Sequence, residues 1–440
     1  MNIEVSEINV NNNIIKGLKI IGNSVSTRKS THTIVLLDNS GSMQSDNKLK
    51  NVKKSLTFLL KFLQKSDQIS LVTFNSVSEI LIENMNVTSK YTEAITHTID
   101  TLEACGGTNL SAGLLNVKAL IERSVLVNQH ISKTGLIILT DGHTNEGMIG
   151  PSQLISLCES IKNVLPSLSI TTIGYNDDHN SLLLRDIATT GGGSYNIVNN
   201  IEEVATVFGT ILGGLMTTVV QNITVTYPSS WNCLNMYAKN TYDIKTVLFI
   251  GDICAESEII LLFDKSDMNS VNVFGLDTNT YASIDMNVVW SSINISVNTE
   301  PYYISYSSNI IANILQNIRR MNKDEITSLL KPIKEYIRQP TIHHPLVPIL
   351  KQEILSIESQ IYDNIYISQN QNIQSCAFLT LGRGVSARTP QRRGSYDITD
   401  YMSNLNISTP FSNRIQREIT SHMSQHVSGD PHDIESDSEM

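Results

Sequence analysis

The run Ile34-Val35-Leu36-Leu37 is apolar at every position and stops abruptly at Asp38-Asn39-Ser40-Gly41-Ser42. Four consecutive apolar residues that end in a polar, Gly-containing turn read as a buried strand. Along the turn Asp38, Ser40 and Ser42 fall at alternate positions, and in near-extended backbone alternate side chains point the same way. One carboxylate and two hydroxyls then converge above the strand's carboxyl end. Such a cluster is small, hard and oxygen-only, and it suits Mg²⁺ rather than zinc.

Three donors are too few for an octahedral ion, so other segments must contribute. Gly106-Gly107-Thr108-Asn109-Leu110 places a hydroxyl residue after a flexible Gly pair and before an expected helix. Gly135-Leu136-Ile137-Ile138-Leu139-Thr140-Asp141-Gly142 reads as a second buried strand that ends in a carboxylate. Ligands of an open parallel sheet collect outside the carboxyl ends of its strands, where both strand ends and the Gly-Gly-Thr loop can meet.

Taken together, Asp-x-Ser-x-Ser at 38–42, Thr108 after Gly-Gly, and Thr140-Asp141-Gly142 resemble the von Willebrand factor A (VWA) domain and its metal-ion-dependent adhesion site (MIDAS). Asp-x-Ser-x-Ser alone is a weak signal; the three elements in the family's order are a strong one. The resemblance covers roughly residues 30–218. It implies a doubly wound α/β sandwich in which Asp38, Ser40, Ser42, Thr108 and Asp141 hold a divalent ion, some of them through water. The implied ion is Mg²⁺, with Mn²⁺ or Ca²⁺ also suited to oxygen ligands. The open coordination position takes an Asp or Glu carboxylate from a partner protein. The plain alternative is two serines capping the first helix and Asp141 in a turn.

The rest of the chain divides by pattern. Residues 1–28 hold two short apolar runs around Asn11-Asn12-Asn13 and read as a β-hairpin, too small to bury a core alone. Residues 29–218 alternate strands with helices, which gives a mostly parallel, Rossmann-like sheet. Residues 219–300 contain strand-like runs with no long helix and read as an antiparallel β-sandwich. The hairpin is expected to join that sandwich, with the α/β domain inserted in the β module. Residues 301–369 turn helical, and 370–440 weaken into an Arg-containing stretch (Arg383, Arg388, Arg392, Arg393) and an acidic tail. The uncharged stretch Val204 to Val220 carries helical spacing and several Gly and Thr, so it reads as an amphipathic helix on a sheet and not a membrane span.

Charge and cysteine content narrow the function. The formal net charge of −10 argues against general nucleic-acid binding. Five cysteines without a Cys-x-x-Cys pair argue against a disulfide framework or structural zinc and favour reduced thiols. With no secretory pattern at the start, a cytoplasmic location is expected. Cys105 beside the Gly-Gly-Thr loop is expected to be a small buried residue, the other reading being a reactive thiol. His343-His344 reads as a loop pair, because adjacent histidines point apart and no third ligand has suitable spacing.

The expected function is metal-dependent protein binding without catalysis. One alternative is a Mg²⁺-dependent phosphatase or other hydrolase with Asp38 as nucleophile, although the position two residues on is Ser40 and not the second Asp such an acid would need. A second is a scaffold subunit of a ubiquitin-ligase-like assembly. It comes from a weaker similarity of the C-terminal third to eukaryotic and large-virus VWA proteins. Some of those add a RING or a Hint-type module. The RING's Cys/His ligand set is absent here and no Cys opens a Hint-like segment, so neither activity is carried over.

Overall fold

The computed structural model describes residues 1–362 apart from 12, 25–29, 128–132, 142, 176–178, 199–200, 236–237, 265–269, 279, 281, 291–297 and 319. The Arg-containing stretch and acidic tail expected in 370–440, and Cys376, lie outside the described residues. The chain forms two compact units. One comprises Arg28–Ile187 with Asn196–Thr217, and the other comprises Met1–Thr27, Ala188–Tyr195 and the described chain from Thr218 onward.

The chain opens with β1 (Asn2–Val10) and β2 (Asn13–Ile21), an antiparallel hairpin registered Val5 to Leu18 and Asn2 to Ile21. Asn11 makes the turn at φ +51°, a left-handed conformation that Asn tolerates better than most residues.

The α/β fold begins with β3 (Thr31–Asp38), which leads through a 3-10 turn (Gly41–Asn47) into α1 (Lys48–Leu59). Then come β4 (Gln68–Phe74), β5 (Ser78–Asn86), α2 (Ser89–Asp100), α3 (Leu110–Val127), β6 (Lys133–Thr140), α4 (Pro151–Val164), β7 (Ser169–Tyr175), α5 (Ser181–Gly191), β8 (Gly192–Val198) and α6 (Ile201–Thr217). The sheet order is β5-β4-β3-β6-β7-β8. β3 pairs in parallel with β4 and β6, β6 pairs in parallel with β7, and β5 closes one edge antiparallel to β4. A central parallel strand is covered on both faces, so it has no solvent-facing alternate position; all eight residues of β3 and of β6 are buried. The edge strand β5 is only partly buried, with Glu79 and Glu83 exposed and Ile82 buried.

Period-2 geometry divides each apolar run between the two faces. Ile34, Leu36, Leu136 and Ile138 enter a core with Leu110, Leu114, Val117, Leu154, Cys158 and Ile161 of α3 and α4. On the other face α1 packs on α6 and α6 on β6. The helix expected to reach Val220 ends at Thr217 instead. Thr218, Val219 and Val220 are strand, with Val220 registered to Ile253 and Thr218 to Cys254. The β-branched side chains here pack better on a pleated surface than in a helix.

The second unit continues with β9 (Thr218–Pro228), β10 (Ala238–Thr241), β11 (Lys245–Cys254), β12 (Glu258–Phe263), β13 (Ser270–Asp277) and β14 (Ser283–Val289). Five strands form an antiparallel sheet ordered β10-β11-β9-β13-β14, and the opening hairpin adds β12 to make a second sheet ordered β1-β2-β12. One core joins the inner faces: Val5, Leu18, Ile20, Leu261 and Phe263 meet Val225, Leu248, Val273, Val288 and Trp290. The unit is therefore a sandwich. β10 was not legible in the sequence. Ala-Lys-Asn-Thr has no apolar alternation, and its strand state comes from pairing with β11.

Three helices complete this unit: α7 (Glu300–Asn317), α8 (Lys323–Ile337) and α9 (Val347–Tyr362). They share a core of Ile311, Ile314, Ile326, Leu330, Ile333, Leu350 and Ile354. Asn322 caps α8 by accepting from the Glu325 amide at 2.8 Å. α7 is seated on the hairpin by Tyr302, whose Cδ1 would stand 2.2 Å from any Cβ at residue 17, so only Gly17 fits beneath that ring. His344 accepts the Leu346 amide through Nδ1, a local loop bond. Among the described residues no helix is long and apolar enough to cross a membrane.

His32 on β3 is 2% exposed, and its Nε2 lies 2.9 Å from Ser70 Oγ. Burial lowers its pKa from 6.5 to about 4. Between those values the unfolded chain takes up a proton that the native state refuses, so His32 lowers stability as pH falls through the window. The span corresponds to up to about 3 kcal/mol. Urea unfolding of the wild type and His32→Gln at neutral pH and inside that window should show the wild type losing more stability on acidification. Equal acid losses would remove His32 as the cause.

Candidate metal centre

Asp38 is the last residue of β3 and stands between the ends of β4 and β6, registered beside Phe74. Beyond it the chain is tied down by its backbone: Asn39 N donates to Phe74 O at 3.0 Å, and Gly41 N to Gly106 O at 3.1 Å. The second bond brings the Gly-Gly-Thr loop against the first turn. Ser40 is extended (φ −65°, ψ 166°), as alternation from Asp38 requires. Ser42 differs from expectation, because it sits inside the 3-10 turn and reaches the site by helical and not extended geometry.

The side chains form one hydrogen-bonded chain across two strand ends. Asp38 Oδ1 accepts from Ser40 N at 2.8 Å, and Asp38 Oδ2 accepts from Thr140 Oγ1 at 2.6 Å. Ser40 Oγ lies 3.1 Å from Ser42 Oγ, and Ser42 Oγ donates to Asp141 Oδ1 at 2.7 Å. The ammonium of Lys48 meets Asp141 Oδ2 at 2.5 Å. Asp38, Ser40, Thr108 and Asp141 are buried, whereas Ser42 is exposed and marks the mouth of the cluster.

Thr108 joins through its backbone. Its N–H donates to Asn145 Oδ1 at 2.9 Å, and its carbonyl accepts from Asn145 N and Glu146 N. At the neighbouring Gly107 a Cβ would lie 2.3 Å from Glu146 Oε1, so any larger residue would displace the Glu146 carboxylate. The structure therefore links Asp38, Ser40, Ser42 and Asp141 by direct bonds, and it brings the Thr108 loop alongside by main-chain contacts to the first turn and to residues 145–146.

Two participants were not singled out from the sequence. Thr140 was read as part of a motif, yet its hydroxyl is a direct partner of Asp38. Lys48 stands 93 residues from Asp141, and no local pattern announces that pairing. A correction concerns Cys105, expected to be buried: it is exposed, with its Sγ accepting from Asn75 Nδ2 at 3.4 Å. It lies in the loop between α2 and α3, just before Gly106-Gly107.

Burial dominates the electrostatics of Asp38. Burial pushes the Asp38 pKa up to about 6, hydrogen bonds from Ser40 and Thr140 oppose the shift, and the nearby Asp141 adds to it. Among the described residues the buried oxygens Asn39 Oδ1 and Tyr175 Oη have no hydrogen-bond partner, and the field of Asp141 reaches Tyr175. The two carboxylates of Asp38 and Asp141 with the hydroxyls of Ser40, Ser42 and Thr140 are a hard-donor set without nitrogen or sulfur ligands, and they fit a hard divalent cation.

A von Willebrand factor type A domain profile matches residues 33–210. Residues 33–210 are a VWA domain. The fold of the chain is similar to a solved von Willebrand factor type A structure from Catenulispora acidiphila, with a TM-score of 0.55 over 94% of this chain and 97% of that one. It is also similar to VWA2, the ArnB paralog of Sulfolobus acidocaldarius, with a TM-score of 0.51 over 86% and 96%. Both are 15% identical to this chain, so the likeness speaks for the fold. In sequence the chain is 26% identical over 246 residues to the uncharacterized protein YfbK of Escherichia coli, covering 53% of this chain and 41% of that protein. It is 29% identical over 177 residues to the uncharacterized protein sll0103 of Synechocystis, covering 40% and 39%. The chain thus spans about two fifths of the length of these curated relatives.

The Thr140 bond is the simplest part of this VWA site to isolate. Thr140→Val keeps the side-chain shape and removes a hydrogen bond to a buried carboxylate, a loss of about 1–3 kcal/mol. Urea unfolding in EDTA should report a loss of that size; an unchanged midpoint would mean that Asp38 does not depend on Thr140.

Proposed function

We propose that this chain is a divalent-cation-dependent protein-binding module. Asp38, Ser40, Ser42, Thr108 and Asp141 hold the ion in a MIDAS arrangement, and an Asp or Glu of a partner protein completes it. The observation that carries this reading is the linked carboxylate–hydroxyl cluster, buried at Asp38, Ser40, Thr108 and Asp141 and open at Ser42. Mg²⁺ is the proposed ion, with Mn²⁺ and Ca²⁺ also matching an oxygen donor set. When bound, the ion supplies an electrophilic position for a carboxylate oxygen. Only two anionic donors face a doubly charged ion, so the centre keeps an attraction for a further anion.

The chain's own residues do the positioning. Ser40 N and Thr140 Oγ1 hold the Asp38 carboxylate from both sides, and Ser42 fixes Asp141 Oδ1. The loops at 75–77, 106–109 and 145–148 surround the mouth and are cross-linked: Asn109 N donates to Asn75 O, and Ser76 Oγ donates to Glu146 Oε1. We assign partner specificity to these loops.

We read the site as binding and not catalytic. A phosphatase nucleophile needs a free carboxylate oxygen facing its substrate. Asp38 is 0% exposed and both of its oxygens accept hydrogen bonds, which supports a ligand or anchoring role. The proposed setting is the cytoplasm, on the odd cysteine count and the absence of a Cys-x-x-Cys pair.

The full chain titrated with Mn²⁺ by calorimetry should bind one ion, and Asp38→Ala should lose that heat while circular dichroism stays unchanged. Partner capture on the immobilised chain in Mg²⁺ should fail in EDTA and with Asp38→Ala. Capture that persists under both treatments would reject the proposal.

A further inference from the structure

We propose that Lys48 is a built-in counter-cation of the metal centre that sets how tightly the site holds a divalent ion; this rests on the metal-binding reading above. Its ammonium is 2.5 Å from Asp141 Oδ2, with side chains only 12% and 0% exposed. The other oxygen of Asp141 is taken by Ser42. An ion in this cluster meets Lys48 either as a competitor for Asp141 Oδ2 or as a like charge at its side. Both weaken ion binding.

The position of Lys48 has no local justification. It is the first residue of α1, the end where the helix dipole disfavours a cation, and that end has neither an acidic residue in the first turn nor a side-chain cap. The chain reaches it through Asp46 and Asn47, both left-handed at φ 52° and 55°. Non-Gly residues at positive φ are uncommon, and two in succession put a kink between the 3-10 turn and α1. The kink starts the helix where Lys48 lies on a buried carboxylate. Lys50, further along the same helix, is exposed, so proximity in sequence does not explain the contact.

The consequence is a site assembled in both states. Without an ion, Lys48 neutralises Asp141 and holds it against Ser42. With an ion, the positive charge changes hands or is shared, and the affinity carries the penalty. Lys48 acts through Asp141 and is a positioning residue.

The test uses the full chain as wild type, Lys48→Met, Lys48→Arg and Asp38→Ala, titrated with Mn²⁺ by calorimetry and melted with EDTA or saturating Mn²⁺. Lys48→Met should bind Mn²⁺ at least about tenfold tighter, or about 1.4 kcal/mol. It should melt below the wild type in EDTA and gain more Tm from Mn²⁺. Lys48→Arg keeps the charge and should stay near the wild-type affinity. Equal or weaker binding by Lys48→Met, or equal tightening by Lys48→Arg, overturns the proposal. Should the wild type take up no Mn²⁺, uptake by Lys48→Met supports it and silence in both overturns it. The metal reading itself fails if the wild type binds Mn²⁺ and Asp38→Ala binds it equally well. Loss of binding in Asp38→Ala with no change in Lys48→Met sinks the Lys48 proposal alone.

Discussion

Two carboxylates buried at the ends of adjacent parallel strands impose the main constraint on this molecule. Removing a charge from water is costly unless it is paired or fully hydrogen-bonded. Asp38 answers with two hydrogen bonds, and Asp141 with one hydrogen bond and one ammonium. Those partners come from the turn after β3, from the first residue of α1 and from the end of β6. Three of these bonds, Thr140 to Asp38, Ser42 to Asp141 and Lys48 to Asp141, join segments more than ninety residues apart in sequence.

The sheet explains why the cluster stands where it does. β3 and β6 are neighbours at the centre, yet the helices that follow them lie on opposite faces, α1 with α6 and α4 with α3. Helices departing to opposite sides leave a crevice at the carboxyl ends of the two strands. Asp38 and Thr140-Asp141 close those strands, so polar groups that would break a buried strand collect at its end. The middle of each strand, Ile34–Leu37 and Leu136–Leu139, is apolar, and the site's polar groups gather at the strand ends and in the turn that follows β3.

The β unit obeys a different rule. A two-stranded hairpin is marginal alone, and here it pairs with β12 from far along the chain, Leu18 with Leu261 and Gly17 with Leu262. The core closes only when the five-stranded sheet covers it, which ties the first residues of the chain to those after Thr218. Tyr302 over Gly17 then seats the first of the helices on this hairpin.

Patterns of period two and of 3.6, together with the polar stops of the apolar runs, were enough to read from the sequence the α/β class, the buried central strands, the antiparallel character after Thr218 and the five candidate oxygen donors. These features are local, set by a few neighbouring residues and by whether one or both faces are covered. Folding in three dimensions decided the rest: that β10 is a strand, that the last helix of the α/β unit stops at Thr217, that Cys105 is exposed, and that Ser42 arrives by a 3-10 turn. It also decided the pairing of Lys48 with Asp141. A charged side chain at the start of a helix looks like any solvated lysine until the backbone of Asp46 and Asn47 turns it onto a carboxylate 93 residues away. Electrostatic partners are chosen by distance in space, and that distance exists only after the sheet has brought the ends of β3 and β6 together.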